Sequence, residues 1–212
     1  MKGATLISGL YAIIDSTYVG LDAAGPCAEL LAAGGARLVQ LRAKGTESAA
    51  MLRASQDIRM ALGGKALFIV NDRVDIALLS GAEGVHLGQE DIPLKEARRL
   101  LPSSIIGVST HSLEEAKRAE EEGADYVSFG PIFPTVTKKD ADAPKGIKRL
   151  CEIASKVDVP VVAIGGITID NALQVMEAGA SSVAVISDIL LAADIRDKVS
   201  AISALINRVK AS

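Results

Sequence analysis

The chain has 212 residues, 49% of them hydrophobic, with 23 Lys and Arg against 26 Asp and Glu and a formal net charge of −3. That length is one domain's worth, and a core of this size buries most of the surface that unfolding would expose. The charge balance excludes a nucleic-acid binder working through bulk positive charge, and 3% aromatics without Trp exclude base-stacking platforms. No run approaches the ~18 apolar residues of a membrane span, so the expected partners are small molecules, with no nucleic acid and no membrane. The stretch from Met1 to Asp15 has one Lys and no small-residue cleavage signal after its apolar run, and a cytoplasmic location is expected. Cys27 and Cys151, the two cysteines, can build neither a disulfide framework nor a thiolate metal site. Both fall in helical patterns and are expected to be small buried hydrophobes. Oligomeric state leaves no sequence signature.

Taken in chain order, apolar β-branched runs alternate with helical patterns. The first run is Leu10 to Ile14, followed by a helical pattern near 23–33. A repeat then appears: Gly-Ala and a short apolar strand, at Gly35, Gly81, Gly123 and Gly179. Each Gly follows an Ala/Glu/Leu-rich pattern and suits a left-handed helix stop. Between the copies lie Ala66 to Val70, Ile105 to Val108 and Pro160 to Ile164. The remaining helical patterns fall near 48–62, 72–79, 93–100, 113–121, 146–155, 169–177 and 194–209. Ser112 to Glu115 reads as a capping box, and Pro26 and Pro93 stand where first-turn prolines belong. Eight strand–helix units predict a parallel sheet closed as a single-domain (β/α)8 TIM barrel over residues 1–212. The longest loop, Pro131 to Lys145, is too rich in Pro and charge for a helix and is read as an active-site lid.

A barrel carries its site at the C-terminal strand ends. Gln40, Arg42 and Lys44 alternate with Leu41 and Ala43, which puts the three polar residues on the lumen face. Two cations there suit a phosphate, and the competing reading is an ion pair with Asp72 or Asp91. Asp72 and Asp91 follow neighbouring strands and suit a Mg2+ that keeps several waters; alternatively, each caps a helix. Gly165-Gly166 and Ile186-Ser187 follow strands seven and eight, where barrels commonly cradle a phosphate on backbone N–H groups. His86 and His111 are as readily structural as functional.

The set Gln40-Leu41-Arg42-Ala43-Lys44, Asn71-Asp72-Arg73, His86 to Asp91, Gly107 to His111, Gly130 to Lys138 and Gly165-Gly166-Ile167 resembles thiamine phosphate synthase, in order from about Leu10 to Ile189. One departure is Ile14-Asp15-Ser16-Thr17, where that family often closes strand one with Thr-Asp. The resemblance implies condensation of 4-amino-2-methyl-5-hydroxymethylpyrimidine diphosphate with hydroxyethylthiazole phosphate, giving thiamine phosphate and pyrophosphate. It implies that Gln40 to Lys44, Asn71, Ser109 and Lys138 hold the pyrimidine diphosphate, with Arg42, Lys44, Ser109 and Lys138 serving the chemistry. Thr135, Val136, Thr137, Gly166, Ile186 and Ser187 would hold the thiazole phosphate, and Asp72 and Asp91 the Mg2+. The alternatives are a thiazole tautomerase-like barrel, which would not need Asp72, Asp91 or the Gln-x-Arg-x-Lys strand, and a non-catalytic barrel that binds thiamine precursors.

Overall fold

A computed structural model describes residues 7–135 and 143–208. Eight parallel strands close into one barrel in sequence order: β1 (Gly9–Asp15), β2 (Leu38–Arg42), β3 (Leu67–Asn71), β4 (Gly84–Leu87), β5 (Ile105–Thr110), β6 (Tyr126–Phe129), β7 (Val161–Ile164) and β8 (Ser182–Val185). Around them lie α1 (Ala24–Ala33), α2 (Ser48–Leu62), α3 (Val74–Ser80), α4 (Leu94–Leu100), α5 (Leu113–Glu121), α6 (Gly146–Ala154), α7 (Ala172–Glu177), α8 (Ser187–Leu190) and α9 (Ile195–Asn207). The described residues therefore form the expected (β/α)8 barrel.

The period of two along each strand sorts the apolar residues into two cores. Leu10, Ala12 and Ile14 face the helices in the large outer core, whereas Tyr11 and Ile13 fill the lumen with Leu38, Ile69, Tyr126, Val162 and Ala184. The repeat glycines stop their helices as expected: Gly35, Gly81, Gly123 and Gly179 all have φ between +69 and +98. Two repeats add a stitch at the N-terminal face. Glu83 accepts from the Phe68 N–H, and Asp125 from the Ile106 N–H, each at 2.8 Å. Arg59 and Arg98 in turn hold these carboxylates at 3.0 and 2.6 Å.

Several local expectations are corrected. The third helix starts at Val74, not at 72, because Asp72 has φ +64 and cannot belong to a right-handed helix. The seventh starts at Ala172, because Asn171 accepts from the Thr168 N–H and folds 168–171 into a turn. The short α8 had no periodic signal. Ser112 does accept from the Glu115 N–H, but Glu115 accepts from the His111 N–H, so only half of the capping box forms. Cys27 is buried as expected, whereas Cys151 lies on the exposed side of α6. No helix of the described residues is long and apolar enough to cross a membrane.

Candidate active site

At the C-terminal ends of the strands the lumen opens into a cavity of about 370 Å3. Gln40, Arg42, Asn71 and Ser109 line one arc of it; Thr135, Gly166, Ile186 and Ser187 line the other. The strand order sets this division, because β2, β3 and β5 supply the first group and the segments after β6, β7 and β8 supply the second. Leu41 and Ala43 lie in the outer core, so their side chains face the helices and only their backbone can face a ligand. Val136, Thr137 and Lys138 lie outside the described residues.

The cations are committed, and one partner differs from the expected pair. Arg42 Nη1 is 2.5 Å from Asp15 Oδ2, while Lys44 Nζ is 3.2 Å from Asp72 Oδ2. Asp15 is 1% exposed and also accepts from the Thr17 N–H at 2.9 Å, so a buried, doubly bonded carboxylate anchors Arg42. Lys44 is 60% exposed, and its bond to Asp72 is worth little by itself.

Neither Asp72 nor Asp91 caps a helix. Arg73 and Pro93 occupy the N-cap positions of α3 and α4, and neither helix has a side-chain cap. The Asp72 N–H donates to the His86 carbonyl at 2.8 Å, which fixes the residue across to β4. Asp91 Oδ2 accepts from the Gly88 N–H at 2.6 Å, and this turns its carboxyl back onto the end of β4. The two carboxyls are close enough for Asp91 to act on the charge of Asp72. Burial and then Asp91 hold Asp72 above the usual aspartate range, with Lys44 pulling the other way. Two hard oxygen donors crowded together at a rim fit a divalent cation that completes its shell with water and phosphate. Among the described residues, no group of three or more His, Cys, Asp or Glu side chains could hold a metal.

The second arc is shaped by backbone. Gly165 and Gly166 have φ +100 and +62. A Cβ on Gly166 would meet the Pro134 carbonyl oxygen at 2.5 Å and Phe133 Cβ at 2.8 Å. The space this glycine protects is therefore the root of the 131–145 loop, rather than the place of a bound phosphate. That root is pinned: the Ile132 N–H donates to the Ile164 carbonyl and the Phe133 N–H to the Gly165 carbonyl, at 2.9 and 3.0 Å. The Lys145 N–H closes the loop onto the Pro131 carbonyl at 2.7 Å. Asn171 Nδ2 holds the Gly166 carbonyl at 3.0 Å.

Sequence reasoning missed Tyr11, Tyr126, Ser128 and Asn171, left His86 open, and placed Asp15 at the end of strand one without its partner. Tyr11, His86 and Ser128 line the cavity floor. Period-two spacing was a usable signal for Tyr126, which shares the lumen side of its strand with Ser128. No local pattern pointed to Asp15 as the partner of Arg42.

The family model for thiamine monophosphate synthase matches residues 10–189. A thiamine-phosphate synthase of Anaeromyxobacter dehalogenans is 46% identical over 194 residues, covering 90% of this chain and 87% of the relative. One of Chlorobium phaeovibrioides is 53% identical over 156 residues, covering 73% and 75%. The solved thiamine phosphate pyrophosphorylase of Pyrococcus furiosus superposes with a TM-score of 0.88 at 37% identity, over 99% of both chains. More distant barrels, such as a 3-hexulose-6-phosphate synthase at 18% identity and a TM-score of 0.68, share the fold alone. With matches that run through every strand of the barrel, this chain belongs to the thiamine monophosphate synthase family.

Proposed function

We propose that this chain condenses 4-amino-2-methyl-5-hydroxymethylpyrimidine diphosphate with hydroxyethylthiazole phosphate, releasing pyrophosphate and giving thiamine phosphate. One observation carries the reading: a single cavity holds Gln40, Arg42, Asn71 and Ser109 on one arc and Thr135, Gly166, Ile186 and Ser187 on the other. Two phosphorylated substrates need two such arcs, facing across a space where their rings can meet.

The first arc takes the diphosphate. Arg42, held by Asp15, presents its remaining guanidinium N–H groups to the anion. Lys44, and Lys138 from the loop, add charge as the leaving group departs. The pyrimidine methylene carbon supports a cation by resonance, so the C–O bond to the diphosphate breaks before the thiazole nitrogen attacks. No strong base is needed; the demand is for charge neutralisation on pyrophosphate and for exclusion of water from the cation. The Pro131 to Lys145 loop is the cover for that step. Backbone N–H groups near Gly166 and Ile186-Ser187, with Thr135 to Thr137, take the thiazole phosphate.

Asp72 and Asp91 would hold a Mg2+. When bound, the ion supplies positive charge to the diphosphate oxygens. The tautomerase-like and non-catalytic alternatives leave the Asp72–Asp91 pair and the Arg42 anchor without a task. The partners in this reading are small molecules in the cytoplasm. A pyrophosphate-release assay with both substrates tests it: turnover requires both, and release without thiamine phosphate formation, or no turnover at all, rejects it.

A further inference from the structure

Beneath the cavity, an unbroken line of hydrogen bonds crosses the barrel interior. Gln40 Nε2 donates to Tyr11 Oη at 2.7 Å, and Tyr11 Oη meets Tyr126 Oη at 2.9 Å. Tyr126 Oη meets His86 Nδ1 at 3.0 Å, and His86 Nε2 meets Ser109 Oγ at 2.9 Å, with Ser128 Oγ further off at 3.3 Å. Five strands, β2, β1, β6, β4 and β5, contribute one residue each to the path from Gln40 to Ser109.

Each phenol carries one proton, so a direction imposed at one end propagates. Tyr11 accepts from Gln40, and its own proton must therefore go to Tyr126. Tyr126's proton then goes to His86 Nδ1, which has to be a bare acceptor. The imidazole proton is left on Nε2 and is donated to Ser109 Oγ. Ser109, its oxygen already engaged, keeps its O–H to donate elsewhere, and it lines the cavity. A diphosphate only accepts hydrogen bonds, so this is the polarity that such a ligand requires.

We propose that Gln40, Tyr11, Tyr126 and His86 form a directed relay that fixes His86 as its Nε2–H tautomer and turns the Ser109 hydroxyl into a donor aimed into the cavity. Tyr11, Tyr126 and His86 are positioning residues in this scheme. The inference rests on the proposed function only in naming the diphosphate as the acceptor.

Two further features support the relay. Both phenols are buried, and burial pushes each above the ordinary tyrosine range, for Tyr126 with Tyr11 adding to it. They therefore keep the protons that the relay passes along. The ring of Tyr126 is also placed by the backbone of β5: a Cβ on Gly107 would meet Tyr126 Cζ at 2.0 Å. Gly107 leaves room for the ring to stack on His86, with centroids 5.5 Å apart and planes 19° from parallel. Reversing the Gln40 amide would reverse every bond: Ser109 would donate inward and Gln40 would become the donor to the ligand.

The first test reads the tautomer. The chain has two histidines, so His111→Gln leaves His86 as the sole imidazole signal in 15N-labelled protein. Long-range 1H–15N spectra near neutral pH should show a bare Nδ1 and a protonated Nε2; an Nδ1–H tautomer or an imidazolium overturns the relay. The second test is a double-mutant cycle read as the Kd for inorganic pyrophosphate and the KM for the pyrimidine diphosphate. Loss of one oriented hydrogen bond should make Tyr126→Phe and Ser109→Ala each weaken both values by roughly three- to tenfold. The KM for thiazole phosphate should hold within about twofold, and the double variant should be no worse than Ser109→Ala alone. Additive losses would show that Tyr126 acts on the fold and not through Ser109. Tyr11→Phe breaks the line one bond earlier and should repeat the pattern, which covers a Tyr126→Phe chain that does not fold. An enzyme inactive with both substrates whose His86 is the Nε2–H tautomer, and whose pyrophosphate cycle is non-additive, would reject the proposed reaction and keep the relay.

Discussion

Asp15 Oδ2 and Arg42 Nη1 are 2.5 Å apart on adjacent strands that pair in register at these two residues. The carboxylate is buried while the guanidinium reaches the cavity wall. The cation is thus held from behind, and its fork is oriented before any anion arrives, which lowers the entropic cost of binding.

Asp15→Asn should keep the shape and remove the charge. Losing a charge-assisted bond costs about 1.5–3 kcal/mol, to be read from urea denaturation. The KM for the pyrimidine diphosphate should rise by roughly tenfold, since ~1.4 kcal/mol is a factor of ten. An unchanged KM would show that Arg42 keeps its place without Asp15.

The crowded carboxyl of Asp72 makes apo stability depend on pH. A carboxyl raised in the folded state, as Asp72 is, favours folding when protonated. That contribution is complete below the unfolded-state pKa of about 3.9 and is lost as pH rises through the raised folded value. In EDTA, the Tm of wild type should therefore fall relative to Asp72→Asn as pH climbs across that window. Asn tolerates the left-handed backbone there, so the comparison is not confounded by strain.

Metal removal gives a separate readout. Mg2+ binding only the folded chain adds about 2.7 kcal/mol of stability at 100 times its Kd. Wild type should gain Tm with Mg2+ over EDTA, and Asp91→Asn should lose most of that gain while being no less stable in EDTA, because a like charge beside Asp72 has gone. A full Mg2+ shift in Asp91→Asn would take Asp91 out of the metal site.

Lys138 belongs to the 131–145 loop, outside the described residues. If its charge acts on the departing pyrophosphate, Lys138→Ala should lower kcat more than it raises the KM for thiazole phosphate. A pure KM effect on the thiazole substrate would move it to the other arc.

Gly166→Ala and Ser187→Ala should separate backbone from side chain. The alanine Cβ at 166 would strike the Pro134 carbonyl, and φ +62 disfavours a side chain in any case. It should cost at least about 1 kcal/mol of stability and raise the KM for thiazole phosphate by displacing the loop root. Ser187→Ala loses one hydrogen bond and should raise the same KM by about tenfold or less. A folded Gly166→Ala enzyme with normal KM would detach the loop root from that subsite.

The barrel was legible in the sequence because its determinants are local and periodic. The Gly-Ala repeat stops four helices, and alternation along β2 places Gln40 and Arg42 on the lumen face while Leu41 goes outward. That alternation, together with the segments that follow β6, β7 and β8, brought eight of the named site residues to one cavity, since strand ends share one rim of the barrel. What lay beyond the sequence is who meets whom across that rim. Asp15 and Arg42 are 27 residues apart, and Tyr11 and Tyr126 are 115 apart; only closure of β1 against β2, and of the lumen upon itself, makes them partners. Gly166 shows the same limit. Its positive φ is foreseeable from a Gly-Gly turn, but whether its missing Cβ makes room for a ligand or for Phe133 and Pro134 depends on how two loops pack. Periodicity specifies which side a residue faces, and tertiary packing decides what it finds there.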